Sequence, residues 1–112
     1  MKVITYVRAS TTAPGHNSQT QLHALREYCA RMGWEVVSEY EDVAPANNLQ
    51  NRKRWRQLMD RCARPQPGFE AILVFKFDRA CREIRDLFDS FQVMEMNKIK
   101  LVSATDLETI TA

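Results

Sequence analysis

The chain has 112 residues, of which 45% are hydrophobic and 27% charged, and its formal net charge is +2. That length suits one domain with one core. The small net charge does not by itself establish a nucleic-acid partner by bulk electrostatics, so any basic footprint must be local, and no apolar run is long enough to span a membrane.

The opening residues, MKVITYV, are too short and too strand-like for a signal peptide. Over residues 2–10, Ile4, Tyr6, Arg8 and Ser10 share one face of a strand, and Val3, Thr5 and Val7 share the other. A polar loop with Pro14 and Gly15 follows. Leu22, Leu25, Cys29 and Met32 then recur at helical spacing, and Gly33 supplies a stop. Ser18 with Gln21 three residues later fits a capping box at the start of this helix.

The segment WEVVSEY (34–40) predicts a second strand, and EDVAPANNLQ after it reads as a loop. Trp55, Leu58, Met59 and Cys62 form the apolar stripe of a second helix, which RPQPG breaks. FEAILVF (69–75) is nearly all apolar, as a central strand buried on both faces should be. Ile84, Leu87, Phe88, Phe91 and Met94 define a third helix, and KIKLVSA (98–104) a fourth strand. The chain stops at TDLETITA soon afterwards. This alternation predicts an α/β domain of three layers around a mainly parallel sheet of four to five strands, with flavodoxin-like alternation.

Cys29, Cys62 and Cys81 are odd in number and fall in helix-like segments, which points to reduced, mostly buried thiols and a cytoplasmic protein. The cysteines are far apart, and neither His16 nor His23 has a partner at ligand spacing. No metal or cofactor is expected.

In open α/β sheets, ligands bind beyond the carboxyl ends of the strands. After the first strand come Arg8 and Ser10. After the second comes Asp42, with Arg52 across the loop. After the third comes KFDRACRE, with Asp78, Arg79 and Arg82, and after the fourth come Thr105 and Asp106. A guanidinium stays charged and forks onto two phosphate oxygens. A serine needs activation or strong transition-state stabilisation to act as a nucleophile. Preoriented arginines supply that at a phosphodiester, each donor worth roughly 3 kcal/mol of barrier.

The segments YVRAST, QLHALREYC, GWEVVSEYED, NRKRWRQLM, ILVFKFDRACRE and KIKLVSAT resemble, in order and spacing, the N-terminal catalytic domain of serine site-specific recombinases of the resolvase/invertase family. The resemblance covers essentially the whole chain. Tyr-x-Arg-x-Ser at the start with Asp-Arg-x-x-Arg after the third strand is its most specific part. It implies that Ser10 attacks a DNA phosphodiester, leaving a 5′-phosphoserine and a 3′-hydroxyl. It implies that Arg8, Arg79 and Arg82 hold the scissile phosphate and that Asp78 orients the arginines. Gln21, Arg52 and Asp42 match supporting positions of the family. The family's Ser-Gly after the position of Asp42 is replaced here by VAPANN, and its usual continuation after Asp-Arg by ACRE. The resemblance further implies DNA as partner and a homodimer or tetramer of the full-length protein. The dimerisation helix and DNA-binding region of the family would lie beyond residue 112, leaving residues 1–112 as a single catalytic domain, monomeric or weakly dimeric and inactive by itself.

Each of these residues also has an ordinary reading. Ser10 alone is a strand-end serine, Gln21 the capping partner of Ser18, and Asp78 the N-cap of the third helix. Arg52 fits a surface arginine at a helix start, slightly opposed by the helix dipole. Arg54, Arg56, Arg61, Arg64 and Arg85 read as surface charge, some of it in position to touch DNA backbone. Trp34 and Trp55 read as core-edge packing, and Met32, Met59, Met94 and Met96 as core filling. Two other functions stay open: a degenerate, non-catalytic domain kept for oligomerisation or regulation, and an unrelated flavodoxin-like module for a small phosphate or nucleotide. Against the second, none of the three glycines clusters after a strand.

Overall fold

From Val3 to Ala9 every residue of the first strand is buried. A strand with one face in water would alternate; this one is covered on both. The computed structural model describes residues 1–9, 18–43, 52–76, 84–105 and 109–111. Its elements are β1 (Lys2–Ala9), α1 (Ser18–Met32), β2 (Glu35–Val43), α2 (Lys53–Cys62), β3 (Ala71–Val74), α3 (Ile84–Glu95), β4 (Lys100–Ser103) and β5 (Thr109–Thr111). The strand order is β2-β1-β3-β4-β5. β1 to β4 pair in parallel, and β5 runs antiparallel to β4. The expected α/β class with a mainly parallel sheet is therefore what the chain forms.

The alternation within β1 sorts its side chains into two cores. Ile4 and Tyr6 pack with Trp55, Leu58 and Cys62 of α2 and Met94 of α3. Val3 and Val7 pack with Leu25 and Cys29 of α1. One helix thus covers one face of the sheet and two cover the other, giving three layers. Each large side chain removed from water here contributes roughly 2–3 kcal/mol. Phe91 packs against the α2-side core; the side chains of Ile84, Leu87 and Phe88 lie outside the described residues.

β2 runs to Val43, past the 34–40 segment and into the stretch read from sequence as a loop. The reason is its partner. β1 continues to Ala9, and the ladder pairs Arg8 with Asp42 and Ala9 with Val43. Asp42 therefore stands on the strand rather than after it. β2 is an edge strand, and exposed Glu35, Glu39 and Glu41 disfavour pairing with another chain. Arg26 ties α1 to this edge through two 2.8 Å hydrogen bonds to Glu39. That pairing holds the Glu39 carboxyl below its ordinary range.

Two helix ends use one device with different residues. After α1, the Trp34 N–H donates to the Cys29 carbonyl and the Gly33 N–H to Ala30. After α3, the Ile99 N–H donates to Met94 and the Lys98 N–H to Glu95. Both are Schellman ends, which need a left-handed residue. Gly33 has φ 72 and Lys98 has φ 54. Buried Ile99 and Met94 belong to the same core, so packing holds Lys98 in a conformation it disfavours. Lys98→Gly is expected to raise stability by about 0.5–1 kcal/mol, read as a higher urea midpoint at unchanged slope. A lower midpoint would contradict the strain.

Some packing expectations need correction. Met32 and Met96 are 50% and 65% exposed, so neither fills the core. Trp55 is not at the core edge: it is 1% exposed, and its indole N–H donates to Ser90 Oγ at 3.1 Å. Trp34 does sit half-buried, edge-on to Tyr28. Cys29 and Cys62 are buried free thiols, and burial pushes Cys62 up to about 12 and Cys29 up as well. Both are poor nucleophiles as a result. Cys81 and His16 lie outside the described residues. Among the described residues, no cluster of His, Cys, Asp or Glu is arranged to hold a metal ion, and no helix is long and apolar enough to cross a membrane.

Candidate active site

The carboxyl ends of β1 and β2 bring Arg8 and Asp42 opposite each other on the α2 face of the sheet. Arg8 is 5% exposed. Arginine is rarely that buried unless its charge is engaged.

Asp42 organises the start of α2. One carboxylate oxygen accepts the Arg54 N–H at 3.0 Å, and the other accepts the Trp55 N–H at 2.9 Å. The residue at the N-cap position is Arg52, which makes no side-chain cap bond. Asp42 caps the helix from a neighbouring strand instead. It satisfies two of the amides that a helix start leaves without partners, and it places negative charge at the positive end of the dipole.

The same carboxylate accepts the Tyr6 hydroxyl at 2.9 Å, and that hydroxyl accepts a hydrogen bond from Arg52 Nε at 3.2 Å. Arg52 is completely buried. Its guanidinium carbon lies 5.4 Å from the Tyr6 ring centroid and 5.1 Å from that of Trp55, within cation–π range of both. The surface reading of Arg52 is thereby overturned: the side chain turns inward because two aromatic faces and a phenol oxygen receive it. Burial holds the Tyr6 phenol well above its ordinary pKa; Asp42 raises it further and Arg52 opposes the shift. Tyr6 stays neutral, and its hydroxyl bridges cation and anion. Sequence reasoning passed over Tyr6 as a site residue. The available signal was its place on the same strand face as Arg8, two positions earlier.

Gln21 lies on the first turns of α1 and is 5% exposed. Its Nε2 donates to the Arg8 carbonyl at 3.0 Å. Its Oε1 is buried with no hydrogen-bond partner. A capping box would use that oxygen to accept the Ser18 N–H, which it does not do here. The amide clamps the end of β1, immediately before residue 10.

A second clamp holds the end of β3. The Phe75 carbonyl accepts the Thr105 hydroxyl at 2.8 Å, the Ser103 hydroxyl at 3.2 Å and the Thr105 N–H at 3.2 Å. Thr105 thus secures the strand from which residues 77–83 depart. Ser10, Asp78, Arg79, Arg82 and Asp106 lie outside the described residues. Of the candidate residues, the structure groups Arg8, Asp42 and Arg52 with Tyr6 at one end of the sheet, and ties Gln21 to the backbone of Arg8. Two permanent cations beside a strand end suit an anionic substrate.

Comparison with known proteins points the same way. The family model described as "Resolvase, N terminal domain" matches residues 3–112. The N-terminal catalytic domain of TP901-1 integrase has a TM-score of 0.80 with 28% identity, over 97% of this chain and 81% of that one. A resolvase family site-specific recombinase from Streptococcus pneumoniae has a TM-score of 0.81 with 24% identity, over 97% of this chain and 75% of that one. The C-terminal catalytic domain of ISC1926 TnpA, an IS607-like serine recombinase, has a TM-score of 0.81 with 20% identity, over 96% and 70%. The catalytic domain stands at the amino terminus of one of these proteins and at the carboxyl terminus of another. No curated protein matches the chain.

Proposed function

Because the chain belongs to the resolvase N-terminal domain family, the catalytic domains of serine recombinases, we propose that it breaks and rejoins DNA through Ser10 in site-specific recombination. The observation that carries this reading is the end of β1. Arg8 is buried there, its carbonyl is clamped by Gln21, and Arg52 is held nearby through Tyr6 and Asp42. The clamp fixes the backbone two positions before Ser10.

In the proposed reaction Ser10 loses its hydroxyl proton as Oγ bonds to phosphorus. The bond from phosphorus to the 3′-oxygen breaks, and that oxygen takes up a proton to become a 3′-hydroxyl. A 5′-phosphoserine remains, which keeps a phosphodiester for the rejoining attack of another 3′-hydroxyl. Charge grows on the non-bridging oxygens, where Arg8, Arg79 and Arg82 are assigned to stabilise it. Arg82 is assigned to the leaving oxygen as well, and Asp78 to orienting the arginines. DNA is the partner, and strand exchange requires a dimer or tetramer.

Family membership sets aside the unrelated flavodoxin-like phosphate module. The degenerate, non-catalytic domain is separated from the active one by experiment. Joined to a DNA-binding module and given a nicked site that traps the intermediate, the chain is expected to form a covalent protein–DNA adduct. Ser10→Ala is expected to lower adduct formation by roughly 10³-fold or more. An adduct that persists in Ser10→Ala would remove the nucleophile assignment, and none from the wild type would favour the degenerate domain.

A further inference from the structure

We propose that Ser90 and Trp55 are positioning residues for Arg52 in the cleavage reaction: Ser90 sets the plane of the Trp55 indole, and the indole sets the plane of the Arg52 guanidinium. The proposal rests on the DNA-cleaving reading above and extends it to a side chain of α3.

Trp55 touches each of Asp42, Tyr6 and Arg52. Its backbone N–H donates to Asp42 at 2.9 Å, and its ring meets the Tyr6 ring edge-to-face at 4.8 Å between centroids. The Arg52 guanidinium carbon sits 5.1 Å from the Trp55 centroid. The hydrogen bond from Arg52 Nε to the Tyr6 hydroxyl anchors one atom of the guanidinium. The orientation of the planar fork also depends on the aromatic faces against it, and a cation–π contact is only as well defined as the ring that offers it.

Tyr6 is fixed at both ends, by its strand and by its hydroxyl bond to Asp42. The Trp55 side chain has one donor, the indole N–H. At 1% exposure that donor needs a partner inside the protein, and Ser90 Oγ receives it at 3.1 Å. The partner is 35 residues away, on α3. Helix propensity does not call for a serine there: alanine is the better helix former. At 4% exposure the hydroxyl does not serve solvent either. Its use in the structure is to hold the indole.

Two measurements test this. In the isotope-labelled 112-residue chain, the Arg52 Nε–H resonance senses the ring currents of Tyr6 and Trp55. Ser90→Ala leaves both rings in place and is expected to move that resonance. A loss of packing alone would lower the urea midpoint and leave the resonance where it was. In the chain joined to a DNA-binding module, Ser90→Ala is expected to slow adduct formation at saturating trapping substrate by about 10-fold, since misplacement by about 1 Å costs on the order of 10²-fold. The half-saturating DNA concentration should not change. Trp55→Phe keeps an aromatic face without the N–H and should slow the reaction by a similar factor. The double variant should be no slower than the slower single variant, because both changes remove the same bond.

An unmoved resonance overturns the proposal. So does a Ser90→Ala rate within about twofold of the wild type, or a double variant whose losses multiply. A wild type that forms no adduct removes the cleavage reading and the catalytic part of this one. The resonance still decides whether Ser90 orients Arg52, so the two readings fail distinguishably.

Discussion

Asp42→Ala is expected to destabilise the domain by about 4 kcal/mol, measured as a fall in the urea midpoint. Losing a helix cap costs about 1–2 kcal/mol. Leaving a buried donor without an acceptor costs about 1–3 kcal/mol, and here the Tyr6 hydroxyl and two backbone amides lose the same carboxylate. Arg52, which meets Asp42 only through the Tyr6 hydroxyl, loses that bridge as well. These contributions share atoms and do not add in full. Domains of this size have about 5–15 kcal/mol in total, so the alanine variant approaches the threshold of folding. Asp42→Asn keeps an acceptor for one amide, and its expected loss is about 2 kcal/mol. A change of less than about 1 kcal/mol in Asp42→Ala would show that the cap and the bridge through Tyr6 do not hold α2.

Arg52→Lys is expected to separate stability from activity. The substitution keeps the positive charge and retains attraction to the Tyr6 and Trp55 rings. It removes the Nε donor and the planar fork. The expected stability loss is about 1 kcal/mol, whereas adduct formation on the trapping substrate should fall by about 10²-fold. The difference arises because a transition state demands donors at set positions, while a core needs charge and volume. Activity within a few-fold of wild type, with the fold intact, would reduce Arg52 to an architectural residue. The network would then serve α2 alone.

Much of the architecture is readable in local patterns. The period-two alternation of β1 sorts Ile4 and Tyr6 from Val3 and Val7, and the two cores preserve that division. The apolar run at 69–75 marks β3 as interior, and it lies between β1 and β4. Leu25 and Cys29, and Trp55, Leu58 and Cys62, are the buried stripes of α1 and α2. Stripe edges are less readable, as exposed Met32 shows, because a helix end can pass beyond the sheet it covers.

The candidate site divides in the same way. Arg8 is placed by strand alternation, and the arginines suggest an anionic substrate by their chemistry. Tyr6, Asp42 and Arg52 acquire their roles only across distances that no local pattern spans. The Tyr6–Asp42 bond joins residues 36 apart, and the Arg52–Tyr6 bond residues 46 apart. The loop-like composition after residue 40 concealed that Asp42 extends a strand, because parallel pairing with β1 decides where β2 ends. Gln21 matched a local capping pattern, yet its amide went to the Arg8 carbonyl on a neighbouring strand.

The sequence by itself determined the order of elements from β1 to β4, the faces they bury, and the presence of a serine and arginines at strand ends, because periodicity and side-chain chemistry are local; β5 and its antiparallel pairing came from the structure. Only the tertiary structure decided that Asp42 caps α2 from another strand, that Arg52 turns inward, and that Tyr6 joins them. Buried polar groups must find partners wherever folding brings them, and those partners lie far away along the chain.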